Sequence, residues 1–420
     1  MEAYNPWWIG EPGPIVEEWA ESRVKWVPSV IKRIRVQPYA LHFLVGPRQV
    51  GKTTALRLFI HELLKEMNPR SIFFYSCDEL DNYEELGEVL DFYLSARKVW
   101  GIKSSVIVLD EVTFVKEWFR ALKSRIDMGV FKNDVLIVTG SASLELVAGR
   151  ERFPGRRGNG VDIVMYPMSF SEYVLHFSKL STERAALEDM KRFETSFKAN
   201  KLFSRRLSEL FSAYLITGGF PLSIREFFEK GRVTHHTHKA YLDWLRVDWT
   251  KAGRSEGYMK EVISYILEAT PSPISWHSIA KATSLSSPNT ARSYVETLEH
   301  LMVAKVLYWA SPSGKVDYRK EKKILLTDPL LYHVFEAYTR VRVDEAALVE
   351  ATFSTHLARR YPVYYWRDKS EVDTLVLVSG RLLGLEVKWR YKPVIRRKPL
   401  PYQVLHKEEV PIYLATLNIQ

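Results

Sequence analysis

Leu41-His42-Phe43-Leu44-Val45 is followed without a break by Gly46-Pro47-Arg48-Gln49-Val50-Gly51-Lys52-Thr53 and then by Thr54-Ala55-Leu56-Arg57-Leu58-Phe59-Ile60. An apolar strand-like run, a glycine-bounded loop and apolar residues at helical spacing follow one another in the order that a phosphate-binding loop requires. In such a loop the glycines let backbone N–H groups wrap an anion, and the N-terminus of the next helix adds its positive end. Lys52 is placed to reach the β- and γ-phosphates and Thr53 to give its hydroxyl to Mg²⁺. The nucleotide-binding set read from the sequence is Gly46, Pro47, Arg48, Gln49, Val50, Gly51, Lys52, Thr53 and Thr54. A purely structural glycine turn would have to explain the strand before it and the helix after it as well.

Downstream, Val106-Ile107-Val108-Leu109-Asp110-Glu111 sets two adjacent carboxylates at the carboxyl end of an apolar run. Charges at the end of a buried strand are unfavourable without a role. Asp110 is expected to hold Mg²⁺ through water and Glu111 to act as general base on the attacking water. Val135-Leu136-Ile137-Val138 leads into Thr139-Gly140-Ser141, where Ser141 or Thr139 would orient the lytic water, although a Ser that simply caps the following helix fits as well. Arg150, in Ala148-Gly149-Arg150, is the candidate cation for transition-state charge, the alternative being a solvated arginine. Apolar runs alternating with helical patterns between residues 31 and 180 imply a parallel sheet covered on both faces.

The remaining chain is long enough for further domains, since 420 residues with 46% hydrophobic side chains exceed one ordinary core. Residues 1–30 are Pro- and Trp-rich and read as irregular; 31–180 as the P-loop domain; 181–253 as a helical lid or subdomain. Residues 254–327 read as a winged helix-turn-helix, with helices near 259–268, from Trp276 and from Pro288, a strand near 303–309 and a return strand near 323–326. Residues 328–420 form the last domain, a helix from about Asp344 followed by strands. Pro288-Asn289-Thr290-Ala291-Arg292-Ser293-Tyr294 offers small polar side chains and a cation suited to phosphates and base edges, though such modules also serve only for packing.

The charge is +10, and residues 301–420 carry 20 basic against 13 acidic side chains, which fits either a nucleic-acid face or a solvated surface. The single cysteine, Cys77, excludes an intramolecular disulfide and suits a reducing compartment. No apolar run approaches the roughly 18 residues of a membrane span, and the start lacks the basic-then-apolar plan of a signal peptide. A cytoplasmic, soluble protein without membrane contact is expected. The four glutamines, at 37, 49, 403 and 420, fit the depletion of thermolabile side chains in thermophiles.

Asn5-Pro6-Trp7-Trp8, the 46–53 loop, Leu109-Asp110-Glu111-Val112 with Glu117-Trp118, Thr139-Gly140-Ser141, Ala148-Gly149-Arg150 and Gly218-Gly219-Phe220-Pro221 together resemble the archaeal AAA-type ATPases. The resemblance implies an additional-strand P-loop domain, ATP as the nucleotide, a winged helix and a restriction-endonuclease-like C-terminal domain. The implied fold class is α/β: a P-loop NTPase parallel sheet with a helical subdomain, a winged helix and a C-terminal α/β nuclease-like domain.

Glu371-Val372-Asp373-Thr374-Leu375-Val376-Leu377-Val378 and Arg381-Leu382-Leu383-Gly384-Leu385-Glu386-Val387-Lys388 alternate as two strands around Ser379-Gly380. A two-residue turn there sets Asp373 across from Glu386 and Glu371 across from Lys388, all on one face. Opposed like charges cost up to about 1 kcal/mol, so Asp373 and Glu386 call for a cation. The pattern is similar to the PD-(D/E)xK nucleases, with Val372 in the place of their proline. That likeness implies that Asp373 and Glu386 bind Mg²⁺ or Mn²⁺, that Lys388 assists the attacking water, and that Glu350 on the preceding helix adds a third carboxylate. The alternative is a Glu371–Lys388 ion pair on an exposed face.

The function expected from the whole chain is a Mg²⁺-dependent ATP hydrolase acting on nucleic acid, DNA above all, with a metal-dependent nuclease activity as a further expectation. A homo-oligomer and a protein partner are compatible with it. The alternative is a slow nucleotide-driven regulatory switch, or assembly ATPase, whose nuclease-like domain is an inactive interaction domain.

Overall fold

β1 (Ala40–Gly46), β2 (Ile72–Ser76), β3 (Val106–Asp110), β4 (Val135–Ser141) and β5 (Asp162–Val164) build one sheet in the order β2-β3-β4-β1-β5. Every neighbouring pair is parallel. All seven residues of β1 are buried, as the continuous apolar run requires of a strand covered on both faces. β4 lies between β1 and β3, so it is the additional strand that the resemblance implies. This computed structural model describes residues 1–11, 13–141, 152–390, 398 and 400–419, of Ser141 the backbone alone, and the chain divides into two units, Met1–Tyr166 and Pro167–Gln420.

β2 is an edge strand of the first unit, whose outer backbone groups would otherwise be open to pairing. The N-terminal segment closes that edge. Asn5, fully buried, donates from its amide to the Phe74 carbonyl at 3.0 Å and accepts from the Phe74 N–H at 2.7 Å. The Trp7 and Trp8 indoles both donate to the Ile72 carbonyl, each at 3.0 Å. Residues 1–30 are not irregular throughout, as the sequence suggests, because Pro14–Glu21 is a helix. The proline that reads as a breaker stands at the first helical position, where its fixed φ favours the helix and its missing N–H costs nothing.

The second unit begins with helices Phe170–Phe177, Met190–Asn200, Ser204–Thr217, Pro221–Lys230 and His235–Lys251. Helices Glu256–Ala269, Trp276–Ala282 and Pro288–His300 follow, the last two started by Ser275 and Ser287, whose hydroxyls accept from Ser278 N–H and Thr290 N–H. The chain then forms an antiparallel pair, β6 (Ala304–Ala310) and β7 (Val316–Leu326). β7 is longer than the 323–326 segment read from sequence, because residues 318–321 are exposed and carry no apolar alternation.

β8 (Val363–Arg367), β9 (Glu371–Val378), β10 (Arg381–Lys388) and β11 (Tyr402–His406) complete a six-stranded sheet in the order β11-β10-β9-β8-β6-β7. β6 pairs in parallel with β8, so one sheet runs from the 254–327 segment into the 328–420 segment. Ser379 and Gly380, with φ of 47° and 79°, make the two-residue turn, and Arg381 to Leu385 pair with Val378 to Thr374 in the register that turn dictates.

The Gly218-Gly219-Phe220-Pro221 motif has a packing reason. A Cβ on Gly218 would lie 1.9 Å from Asp328 Oδ1, and the Gly219 N–H donates to Asp328 Oδ2 at 3.0 Å. Asp328 also accepts the Leu330 N–H at 3.0 Å and so caps helix Pro329–Thr339. Burial pushes its carboxyl up to about 6, against the pull of Arg359. Among the described residues no helix is long and apolar enough to cross a membrane.

Candidate functional site

The carboxyl ends of β1, β3 and β4 lie side by side, with Gly46 beside Ser141 and Leu109 beside Val138. That register gathers the 46–53 loop, the Asp110-Glu111 pair and Thr139 at one edge of the sheet, where ligands collect in open α/β folds. The loop needs its glycines. At Gly46 a Cβ would meet the Met165 carbonyl oxygen at 2.4 Å, and Gly51 sits at φ 96° as it leads into helix Lys52–Leu63. Gln49 also takes a left-handed conformation, φ 58°, so consecutive loop amides turn along a curved path. The Lys52 ammonium donates to the carbonyls of Gly46 and Pro47, both at 3.1 Å, and the Arg48 guanidinium lies 5.7 Å over the Phe114 ring.

Thr53 Oγ1 donates to Asp110 Oδ2 at 2.6 Å, so the two residues expected to hold Mg²⁺ do meet. Asp110 is 1% exposed, and its other oxygen, Oδ1, is buried without a hydrogen-bond partner. Burial raises the Asp110 carboxyl above the usual range, the Thr53 hydrogen bond lowers it, and Glu111 beside it raises it again. A buried, ionisable oxygen left without a partner is what a magnesium ion would satisfy, so the donor set fits that ion. Glu111 takes a left-handed φ of 53°, rare for a residue with a Cβ, and its Oε2 is buried without a hydrogen-bond partner. Strain of this kind, of order 1–3 kcal/mol, gathers at functional sites. Thr139 is fully buried at the end of β4; the Ser141 side chain and the whole of Arg150 lie outside the described residues.

The second group of expected residues is also brought together, but differently from the expectation. Asp373 and Glu386 are buried at 7% and 5% exposure, whereas Glu371 and Lys388 are half-buried. Lys388 lies 3.8 Å from Asp373 Oδ2 and 3.5 Å from Glu386 Oε2, while Glu371 pairs with Lys323 at 2.7 Å and Arg367 at 3.9 Å. Glu350, on helix Glu345–Ala358, pairs with Lys323 at 2.9 Å. Burial holds the Glu350 carboxyl above the usual carboxylate range, against the pull of Lys323. Among the described residues, no three His, Cys, Asp or Glu side chains stand where they could hold a metal ion. The charges of Glu350, Asp373 and Glu386 are met in the structure by ammonium groups.

Three residues to which the sequence assigns no place in these sites matter here, two of them from the basic clusters 319–323 and 396–398. Lys323 and Lys398 enter the carboxylate cluster, and Arg57, on helix Lys52–Leu63, lies 3.5 Å over the Phe74 ring and donates to the Tyr4 carbonyl at 2.7 Å. Burial lowers Arg57 to about 10 and the Asp110 charge raises it. The one available sign of Lys323 is its position inside the apolar end of β7, Lys322-Lys323-Ile324-Leu325-Leu326.

Residues 39–174 match the AAA domain family, and residues 208–341 match a family described as a domain of unknown function (DUF8612). An uncharacterized protein of Methanocaldococcus jannaschii is 28% identical over 208 residues, covering 47% of this chain and 41% of that protein. The chain thus matches about two fifths of that relative's length. An uncharacterized protein of Mycobacterium tuberculosis is 24% identical over 365 residues, 84% of this chain and 71% of that protein. Among solved structures, the Walker-type ATPase of Pyrococcus abyssi aligns with a TM-score of 0.46 at 15% identity, over 75% of this chain and 97% of that one. The AAA match, the loop and the strand order make the first unit a P-loop domain of the AAA type.

Proposed function

With an AAA-type P-loop domain as the premise, we propose that the chain is a Mg²⁺-dependent ATPase that acts on nucleic acid, DNA in particular. The observation that carries the ATPase reading is the Thr53–Asp110 contact beside the unpartnered Asp110 Oδ1. The backbone of 46–51 and the N–H groups of Lys52, Thr53 and Thr54 would bind the phosphates, with the Lys52 ammonium leaving the Gly46 and Pro47 carbonyls for them. Thr53 and Asp110 would hold the magnesium ion, which supplies charge neutralisation on the phosphates. Glu111 would accept the proton of the attacking water at its carboxylate. Ser141 and Arg150 keep the roles of water orientation and charge stabilisation.

Nucleic acid enters through residues 254–327, which support a winged helix by their three helices and antiparallel pair. Arg292 is exposed on helix Pro288–His300, where it makes a surface pair with Glu296 at 2.7 Å, so it is available to a phosphate. The second reading, a nucleotide-driven switch with an inactive nuclease-like interaction domain, is favoured by one observation: lysines fill the C-terminal carboxylate cluster. ATP turnover by the whole chain, measured with and without DNA and in Lys52→Ala, tests the proposal. Turnover stimulated by DNA and lost in the variant is expected. Turnover indifferent to DNA, with no salt-dependent DNA binding, would leave the switch reading.

A further inference from the structure

A restriction-endonuclease-like hairpin would hold its divalent cation at Asp373 and Glu386; Glu386 Oε1 makes no hydrogen bond, but lysines of the chain stand beside both carboxylates. Lys323 reaches in from β7 with 1% of its side chain exposed. Its Nζ stands 2.9 Å from Glu350 Oε1 and 2.7 Å from Glu371 Oε1, and it donates to the Asp373 carbonyl oxygen at 3.4 Å. Lys398 pairs with Glu386 and donates to the Glu371 carbonyl. Lys388 faces both Asp373 and Glu386, and Asp373 Oδ2 already accepts the Val387 N–H at 3.2 Å.

Glu350, Glu371, Asp373 and Glu386 against Lys323, Lys388, Lys398 and the Arg367 that pairs with Glu371 leave no net charge when all are ionised. Magnesium demands oxygens at about 2.1 Å in a near-octahedral shell, whereas an ammonium is content with three carboxylate or carbonyl contacts near 3 Å. A divalent ion added to the cluster would leave a net positive charge in a buried place. Burial alone would strip the proton from a lysine, but Glu350, Asp373 and Glu371 outweigh it, so Lys323 stays charged.

We infer that this cluster is a lysine-filled centre that takes no divalent cation, with Lys388 facing the Asp373 and Glu386 carboxylates and Lys323 held by Glu350, Glu371 and the Asp373 carbonyl oxygen. Wild-type protein then carries out no metal-dependent phosphodiester cleavage at Asp373 and Glu386. The ion pairs instead tie β7 to helix Glu345–Ala358 and to β9. The inference does not rest on the ATPase reading, because none of these residues belongs to the phosphate loop.

The test is Mn²⁺ binding to the full chain without nucleotide, followed by the paramagnetic resonance signal of the free ion. Wild type, Asp373→Asn, Lys323→Met and Lys323→Met/Asp373→Asn are compared. Wild type and Asp373→Asn should bind equal numbers of ions. Lys323→Met should bind one more, at least tenfold tighter than anything wild type binds through these carboxylates, and the double variant should lose it. A wild-type ion that disappears in Asp373→Asn overturns the inference, as does a folded Lys323→Met that gains none. Should Lys323→Met fail to fold, the wild-type and Asp373→Asn stoichiometries still decide, equal counts supporting the inference and unequal counts overturning it.

Discussion

Asp110 in the first unit and Asp373 in the second are both buried aspartates on sheet strands, and they differ in where their counter-charge comes from. Asp110 has the Thr53 hydroxyl on one oxygen, the Thr139 hydroxyl close by, and no cation of its own chain paired with it among the described residues. Asp373 sits in a set where Lys323, Lys388 and Lys398 answer four carboxylates. Low-dielectric surroundings make an unanswered charge expensive, and burial accordingly raises the Asp110 carboxyl. A carboxylate answered by lysines of its own chain is already spent as a cross-link. Two similar-looking acidic motifs thus differ in the neighbours that meet their charge.

The comparison is broken most severely by removing each counter-charge in turn. Lys323→Met leaves Glu350 and Glu371 without their buried partner and should cost about 3–5 kcal/mol in urea unfolding. Asp110→Asn removes a carboxylate that burial already disfavours, so it should leave the stability of the nucleotide-free protein within about 1 kcal/mol or raise it. Equal losses in the two variants would mean that the sites do not differ as described.

Asp328 supplies an intermediate case, with Arg359 3.9 Å away and two backbone N–H donors. Its folded value of about 6 lies above that of an unfolded aspartate. The protonated form therefore stabilises the fold fully below about pH 4, and that contribution fades as pH rises towards 6. The melting temperature of wild type should fall across this window relative to that of Asp328→Asn; parallel curves would refute the assignment. The smallest effect is expected at Arg292, where alanine removes a surface pair worth at most about 0.5 kcal/mol, yet should reduce the salt slope of DNA binding by about 1.

The nucleotide site was legible because its signals are local. Glycines bound the loop, Thr53 follows Lys52, and Asp110 ends an apolar run, all within short windows whose periodicity survives folding. The β9–β10 register was legible for the same reason, since a two-residue turn propagates pairing. What stayed hidden depends on distance or on burial without pattern. Lys323 precedes Asp373 by 50 residues and meets it only because β6 docks beside β8. β5, with only three residues, is too short to show a pattern. Asn5 carries no sign that its amide would complete a sheet edge.

The most direct measurement is steady-state hydrolysis of Mg²⁺·ATP by wild type and Glu111→Gln, beside the affinity of each for a fluorescent ATP analogue. Glu111 as the base predicts turnover reduced by about 10²–10⁴-fold with affinity kept within a few-fold. Unchanged turnover in Glu111→Gln, or a wild-type chain that binds no nucleotide, would contradict the account.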